Sequence, residues 1–408
     1  MAALRNRKMG NILNFVYDGV DVTEQSIRGY AEGYLGLYDF KVFDINQIPD
    51  DGEKYYYFFE HRYYLAVKSI SDGKLPISDE ILNLLKTNPN FNIIFSNDAE
   101  SDDDFLIEYL DKTFKGLGVD TSKIVVINCN ERNTDLKIRL NTLIKTHTTN
   151  NGKFAYSKEL SRFPYQYNEK RNFLFMCYNR SVKSHRFALL VHLMRHNIID
   201  TIDWSWIRGH EIMKHYLKSE HDLMNSWFLN EIFSKKEIIE YKSEIMDLAE
   251  VQIKKSVNES NYEVDGEGHR FDTQASYSNN PYSNSYINIV TETNFYKNDI
   301  VILSEKSFIP LYFSQIPIIM SSVNHIQKMR DRHGFDFFDD IVNHSYDREP
   351  DFKKRFKMIV DEIIRLNGKK EEIEIFFKEN KNRFDRNVRI VEDLIKDKTD
   401  YDFYNSLR

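Results

Sequence analysis

Cysteine is scarce in this chain, which has only Cys129 and Cys177 among its 408 residues. Each lies inside an apolar run, KIVVINC or NFLFMC, and this placement predicts buried thiols rather than a disulfide framework. Such thiols are typical of a reducing compartment, so we expect a cytoplasmic protein. The CxxC and HExxH spacings are also missing, and we therefore expect no structural zinc site.

Long hydrophobic runs are missing as well. No stretch approaches the ~20 apolar residues of a membrane span, and MAALRNRKMG at the start lacks the apolar core of a signal peptide. We therefore expect no membrane span. The net charge of -7 gives no support for broad binding to nucleic acids or membrane surfaces. Neither a GxGxxG loop nor a Walker-type loop is present, which disfavours dehydrogenases and P-loop enzymes.

The chain does contain a regular alternation of two patterns. Among residues 1–150, apolar runs such as NFVY, FNIIF and KIVVINC alternate with amphipathic segments. The segment at 77–88, for example, places Ile81, Leu84 and Leu85 on one face of a helix. Strands that alternate with helices predict an α/β fold with a mostly parallel sheet covered on both faces.

A polar stretch interrupts the alternation, which restarts at NFLFMCY and becomes wholly helical after residue 350. We predict an N-terminal domain at 1–150, a linker at 151–170, a second domain at 171–350 and a helical C-terminal tail at 351–408. Residues 256–285 are almost free of aliphatic side chains, which predicts a functional or mobile loop inside the second domain.

The most informative stretch is NFLFMCYNRSVKSHRFALLVHLM, residues 172–194. It predicts a buried strand, a turn at Asn179 and Arg180, an N-cap at Ser181 and an amphipathic helix. The free N–H groups at such a helix start, together with the cationic donors Arg180, Lys183, His185 and Arg186, suit a pyrophosphate group. The alternative is a solvated basic first turn with a serine cap.

A second group of charged residues follows the strand-like runs INIV and IVIL. Glu292 comes after the first run, and Ser304, Glu305 and Lys306 form a Ser-Glu-Lys triplet after the second. The carboxyl ends of strands are where open α/β sheets bind ligands. A carboxylate there accepts hydrogen bonds from ribose hydroxyls, and an ammonium binds a phosphate oxygen. In the alternative interpretation, Ser304 caps a helix and Glu305 complements its dipole.

Taken together, FLFMCYNRSVKSHRFALLVHL and IVTETNFYKNDIVILSEKSFIPLYFSQIPII resemble the C-terminal domain of GT-B glycosyltransferases, most of all the fucosyltransferase-like and exostosin-like groups. Those domains combine an Arg after a strand and polar turn, an acidic residue after a later strand, a Thr/Ser-Glu-Lys triplet and a Pro-Ile-Ile type of strand. The matching positions are Arg186 with Arg180 close by, Glu292, Ser304, Glu305, Lys306 and Pro317-Ile318-Ile319. The run HGFDFFDDIVNHSYD at 333–347 is similar to a stretch of phage and bacterial glycosyltransferase-like proteins. The resemblance covers residues 170–350, and the N-terminal half is similar only in its α/β character.

The resemblance implies two Rossmann-like domains of the GT-B type and transfer of a sugar from a nucleotide-sugar donor, with no bound metal and no other cofactor. Glu305 would bind the ribose, while Lys306, Arg180 and Arg186 would neutralise the charge that develops on the leaving diphosphate. The acceptor hydroxyl would belong either to a glycan or to a hydroxymethylated base in phage DNA. The overall acidity weighs mildly against DNA, whose phosphates need a basic groove.

An inverting transfer also needs a base, and Asp98, directly after the buried run FNIIF, is the first candidate. A turn or a helix cap is the alternative for this residue. Further candidates at strand ends are Asp18, Glu60, His61 and Glu100. A retaining transfer needs no such base, and the residues leave both outcomes open. The Asp-x-Asp spacing at 102–104 favours an acidic helix start over a metal site.

A second hypothesis is a non-catalytic protein, in which a degenerate transferase domain serves as a structural or carbohydrate-binding module. Loss of the charged donor-binding residues would indicate it. All of them are present, so the enzyme is the leading hypothesis.

Overall fold

The structure is a computed structural model. It describes residues 13–19, 22–33, 40–60, 77–97, 103–128, 130–132, 145–148, 165, 167–179, 183–206, 227–240, 281–296, 298 and 300–396. These residues form two compact units, one within Met1–Asn151 and Lys396–Arg408 and one within Gly152–Ile395.

The first unit is built on a parallel sheet with the strand order β2-β1-β3-β4-β5-β7. Its strands are β1 (Leu13–Tyr17), β2 (Phe40–Asp44), β3 (Tyr55–Glu60), β4 (Phe91–Asn97), β5 (Ile124–Asn128) and β7 (Lys145–Thr148), with the short β6 (Asn130–Arg132) between the last two along the chain. Aromatic and β-branched side chains such as Phe15, Tyr57, Ile93 and Val126 are fully buried. Strands covered on both faces bury such side chains at nearly every position, and this explains the apolar runs in the sequence.

The helices of the first unit are α1 (Glu24–Gly33), α2 (Asp79–Thr87) and α3 (Asp103–Gly116). The hydroxyl of Ser78 caps α2 by accepting a hydrogen bond from Ile81 N at 3.3 Å. Ile81 and Leu85 are buried, as the helical pattern predicts. Asp103 and Asp104, which belong to the acidic run of the sequence, are the first two residues of α3, as expected for a helix N-terminus.

The second unit is built on a parallel sheet with the strand order β12-β10-β8-β9. Its strands are β8 (Phe173–Asn179), β9 (Ile202–Trp206), β10 (Ser285–Thr291) and β12 (Ile316–Met320), and a short strand β11 (Ile300–Ile302) precedes β12. From β8 the chain first moves to β9 on one side and then returns to build β10 and β12 on the other. The first sheet begins in the same way, because β2 and β3 flank β1. Each sheet therefore has one point where the direction of strand addition reverses, and such points are where open α/β sheets bind ligands.

Helices cover the second sheet: α4 (Ser184–Arg195), α5 (Trp227–Ile232), α6 (Glu305–Tyr312), α7 (His325–His333), α8 (Phe352–Asn367), α9 (Lys370–Glu379) and α10 (Lys381–Lys396). The residues predicted as a helical tail form the last three, and Phe356, Ile363 and Phe377 lie in the same core as the strands. α7 ends at Gly334, whose φ of 74° is the left-handed conformation that glycine adopts without strain.

The start of α4 differs from the prediction. Its N-cap is Lys183, which makes no side-chain capping bond, and Ser181 lies outside the described residues. Asn179 is the last residue of β8 rather than part of a turn. The strand and the helix are therefore separated by a longer connection than the sequence indicates.

A buried arginine closes the amino end of the second sheet. The guanidinium of Arg171 donates to the carbonyl oxygens of Tyr282, Ser285 and Phe313 at 2.7–3.0 Å. It lies 4.5 Å from the ring centre of Phe377. Burial lowers the pKa of Arg171 to about 10, so the side chain keeps its charge at neutral pH.

Residues after α7 cover the outer edge of β12. Ile319 N donates to the hydroxyl of Tyr346 at 3.2 Å, and His344 Nε2 lies 3.3 Å from the carbonyl oxygen of Pro317. An edge strand exposes unpaired backbone groups, and these two side chains satisfy them here.

The structure confirms an α/β protein with parallel sheets. Cys177 is buried as predicted, whereas Cys129 lies outside the described residues. In the described part of the chain, the helices are too short or too polar to cross a membrane.

Candidate functional site at the carboxyl end of the second sheet

The reversal point of the second sheet lies between β8 and β10, and a buried polar pair joins these strands there. Thr291 Oγ1 donates to Asn179 Oδ1 at 2.6 Å, and both residues are almost completely buried. Asn179 Nδ2 in turn lies 3.4 Å from Cys177 Sγ. The last residues of the two strands are thus locked together where a ligand of such a sheet would bind.

Glu292 follows directly on β10, and its carboxylate is 1% exposed. It accepts hydrogen bonds from Ser304 Oγ at 2.8 Å and from Ser307 Oγ at 2.6 Å. Ser304 is the N-cap of α6 and also accepts a hydrogen bond from Lys306 N at 3.2 Å. A single buried carboxylate therefore fixes the first turn of α6 against the end of β10.

Two further side chains extend this network. Ser307 Oγ lies 2.8 Å from His325 Nε2, and His325 Nδ1 lies 2.8 Å from Ser321 Oγ. Ser321 follows β12, and His325 is the first residue of α7. Asp347 holds the start of α7 in place. Its carboxylate accepts hydrogen bonds at 3.0 Å from the backbone N–H groups of the two residues that follow His325.

α4 contributes two basic side chains, Arg186 and His185, and both are buried. Arg186 Nη2 donates to the carbonyl oxygen of Thr291 at 2.8 Å, and His185 Nε2 lies 3.0 Å from the carbonyl oxygen of Glu292. A carbonyl only accepts, so His185 carries its hydrogen on Nε2, and its Nδ1 accepts from the hydroxyl of Tyr296 at 3.2 Å. These contacts hold the backbone at the carboxyl end of β10 against α4.

Burial keeps both histidines neutral at physiological pH. It lowers the pKa of His325 to about 4. It also lowers the pKa of His185 to about 3, and the neighbouring charge of Arg186 acts in the same direction.

A small concave pocket adjoins this cluster. Its lining residues come from β8, β10, α6 and the turn before β10: Met176, Tyr178, Tyr282, Asn288, Ile289, Val290, Thr291, Lys306 and Ile309. The hydroxyl of Tyr178 donates to Asp203 Oδ2 at 2.6 Å. The pocket is thus lined by apolar side chains together with a few polar residues, among them Lys306.

The structure brings several of the predicted site residues together. Glu292, Ser304 and Lys306 form one cluster, in which Lys306 Nζ lies 3.3 Å from Ser304 Oγ. Arg186 lies next to it but is 3% exposed and bound to the backbone of β10.

The structure does not describe the side chains of the other predicted site residues. Glu305 is the first residue of α6, and its side chain is not described. Arg180 and Asp98 lie outside the described residues, as does most of the predicted loop at 256–285.

Sequence reasoning missed Ser307, Ser321 and His325. The rule that polar residues after a buried strand gather at one edge would have identified Ser321, because it directly follows IPIIM. His325 gave no such signal, since only the packing of α7 against α6 brings it to Ser307.

Among the described residues, no group of three or more His, Cys, Asp or Glu side chains has the geometry to hold a metal ion. Comparisons of the chain with protein-family models, with curated proteins and with solved structures give no match. The function of the chain must therefore be inferred from the site itself.

Proposed function

We propose that this chain is a cytoplasmic glycosyltransferase of the GT-B type, which transfers a sugar from a nucleotide-sugar donor to a hydroxyl acceptor. The observation that carries the proposal is the cluster of Glu292, Ser304 and Lys306 beside the pocket at the reversal point of the second sheet. The shared strand order of the two parallel sheets supports a pair of Rossmann-like domains.

In this proposal the pocket takes the nucleotide part of the donor, and Lys306 binds a phosphate oxygen. A positive charge at that place stabilises the diphosphate as the glycosidic bond to it breaks, with no need for a metal ion. Glu305 binds the ribose, Arg180 assists with the phosphates and Asp98 accepts the proton of the acceptor hydroxyl. Arg186 would support the phosphate site through β10, because its guanidinium already binds the carbonyl of Thr291. The acceptor is a glycan or a hydroxymethylated base in DNA.

One observation favours a non-catalytic module instead. The polar groups of Glu292 and Arg186 are engaged inside the protein, by serine hydroxyls and by a backbone carbonyl. Groups used in this way stabilise the fold whether or not a donor binds. A module of this kind would bind a nucleotide or a carbohydrate without transferring a sugar.

Thermal unfolding with a panel of nucleoside diphosphates and nucleotide sugars tests the proposal. A ligand that binds only the folded state raises the midpoint, by about 3 °C when it is present at many times its Kd. We expect one nucleotide family to do so with the native chain and not with Lys306→Ala. Lys357→Ala is the matched control, because Lys357 is an exposed residue of α8. If no nucleotide shifts the midpoint, or if Lys306→Ala responds like the native chain, the proposal is wrong.

Release of free nucleoside diphosphate from the stabilising nucleotide sugar separates the two candidates. Steady release with acceptor present supports the transferase. Binding without release supports the non-catalytic module.

A further inference from the structure

The hydrogen bonds that connect Ser321, His325, Ser307 and Glu292 all point in one direction. Ser307 has one hydroxyl hydrogen, and it donates this hydrogen to Glu292 Oε1 at 2.6 Å. The contact of 2.8 Å between Ser307 Oγ and His325 Nε2 therefore requires the hydrogen to lie on Nε2. Nδ1 of a neutral ring is then an acceptor, and it receives the hydrogen of Ser321 Oγ at 2.8 Å. We call this set the Ser-His-Ser-Glu chain.

The Ser-His-Ser-Glu chain is not a hydrolytic triad, although it contains the same residue types. In a triad the histidine lies between the serine and the acid, so that it takes the serine proton. Here Ser307 lies between His325 and the carboxylate. Ser307, Ser321 and Glu292 are also at most 3% exposed, which keeps substrates away from both hydroxyls.

The position of the Ser-His-Ser-Glu chain in the fold indicates a different role. On the α6 side, the Ser-His-Ser-Glu chain includes Ser307, which lies in the first turn of α6 next to Lys306. At the other end it is attached to the residue after β12 and to the start of α7, which Asp347 fixes through two backbone bonds. A buried network in which every member is satisfied makes a structure rigid and specifies one arrangement. The first turn of a helix is otherwise a place where a helix frays.

We propose that His325 is a positioning residue: through Ser307 and Glu292 it holds the first turn of α6, and with it the ammonium of Lys306, at the wall of the pocket. The consequence for donor binding depends on the proposed function, whereas the effect on Lys306 itself does not.

The test measures how fast Lys306 is acylated by trace acetic anhydride, with Lys357 on α8 as the reference in the same molecule. In His325→Asn the amide reaches towards Ser321 but is too short to reach Ser307. In His325→Gln the amide nitrogen takes the place of Nε2 and still donates to Ser307. We expect Lys306 to react about fivefold faster in His325→Asn, as expected when one buried hydrogen bond no longer holds the turn. In His325→Gln we expect a rate within about twofold of the native chain.

Ser307→Ala cuts the same link without changing the histidine, and we expect it to act like His325→Asn. It keeps the test decisive if His325→Asn does not fold. Equal rates for Lys306 in the native chain and in the variants would overturn the proposal. It would also be overturned if Lys306 reacted as fast in His325→Gln as in His325→Asn, because that result indicates a loosening that does not depend on the hydrogen bond to Ser307.

A second measurement separates this inference from the proposed function. Native protein is titrated with uridine, guanosine and adenosine diphosphate. If none binds while the acylation rates follow the expected order, His325 positions Lys306 and the transferase proposal fails. If one binds, we expect Ser307→Ala to bind it about fivefold more weakly, and unchanged affinity would contradict the positioning role.

Discussion

The two sheets begin with the same strand order but use their reversal points differently. In the first unit, Asp18 follows β1, and its carboxylate accepts hydrogen bonds from Tyr57 on β3 and from the N–H of Val22, both at 2.9 Å. In the second unit an uncharged pair, Asn179 and Thr291, joins the corresponding strands. The carboxylate of that unit lies one step further along the sheet, where Glu292 collects hydroxyls from a separate helix.

The two carboxylates, Asp18 and Glu292, differ in how many elements of the fold they connect. Asp18 is half-buried and mainly closes its own turn, since Val22 is four residues away. Glu292 is fully buried, and its network connects β10, α6, α7 and the end of β12. One strand order therefore supports either a local turn or a rigid polar cluster beside a pocket. The residues that follow the strands decide which of them forms.

The largest effect is expected at the amino ends of the sheets, where each unit uses a cation to bind backbone carbonyls. Arg171 is buried and binds several carbonyls, whereas Lys123 is only partly buried and binds those of Leu85 and Asn88. Arg171→Met leaves buried carbonyls without donors, and we expect it to lower the free energy of unfolding by about 4 kcal/mol. Lys123→Met should cost about 1 kcal/mol. Hydrogen exchange of peptides from β10 and β4 measures the two effects, and similar losses would contradict the comparison.

The next largest loss in the free energy of unfolding is expected for substitutions at the reversal points of the two sheets. Glu292→Ala removes the acceptor of two buried hydroxyls, and we expect a loss of about 3 kcal/mol in the second unit. Asp18→Ala should cost the first unit about 1 kcal/mol, because its partners are more exposed. The three tryptophans all lie in the second unit, so urea unfolding followed by tryptophan fluorescence reports on Glu292→Ala alone. A small effect there would show that the cluster does not stabilise the unit.

Protons should affect the second unit through three histidines, of which His185 and His325 are fully buried and His192 is partly buried. Burial lowers the pKa of His185 to about 3 and the pKa values of His192 and His325 to about 4. The unfolded chain binds protons at these sites from about pH 6.5 downward, whereas the folded chain does not. Stability is therefore fully present above pH 6.5 and is lost as the pH falls towards the folded pKa values.

Each histidine contributes up to about 1.4 kcal/mol per pH unit within that window. Urea unfolding by tryptophan fluorescence at pH 7.5 and pH 5.5 measures the loss. His192→Phe should reduce the slope, because an uncharged ring replaces one titrating group. An unchanged slope would mean that His192 is already protonated in the folded state.

The smallest effect is expected at the sheet edges. β12 is fully buried, and Tyr346 accepts the hydrogen bond of Ile319 N at its edge, whereas β2 at the edge of the first sheet is partly exposed. Tyr346→Phe leaves one backbone N–H unpaired, at a cost of about 1 kcal/mol. Amide exchange at Ile319 should accelerate by about fivefold, and no change would show that another group satisfies this N–H.

Much of the fold was predictable because it depends on local patterns. The buried strands at FNIIF and IPIIM, the face of α2 that carries Ile81 and Leu85, and the end of α7 at Gly334 all follow from side-chain periodicity and backbone preference. The start of α4 was predicted wrongly, because a serine favours a cap wherever it occurs. Whether Ser181 or Lys183 becomes the cap depends on where the helix packs.

For the site, Glu292, Ser304 and Lys306 were identifiable because each follows a strand-like run, and strand ends gather at one edge. The buried state of Arg186 was not predictable, since a basic residue in the first turn of a helix is usually solvated. Its contact with the carbonyl of Thr291 joins parts of the chain that lie 105 residues apart.

The α/β class, most of the described strands and helices, and the residues available at strand ends all follow from the amino-acid sequence alone. These features depend on the period of apolar side chains and on the φ, ψ preferences of single residues, which act over a few positions. The order of the strands in each sheet does not follow from the sequence alone, and neither do the contact of His325 with Ser307, the capping of α7 by Asp347 or the position of Lys306 at a pocket. Hydrogen bonds and burial depend on distances in space, and a pattern along the chain does not contain those distances.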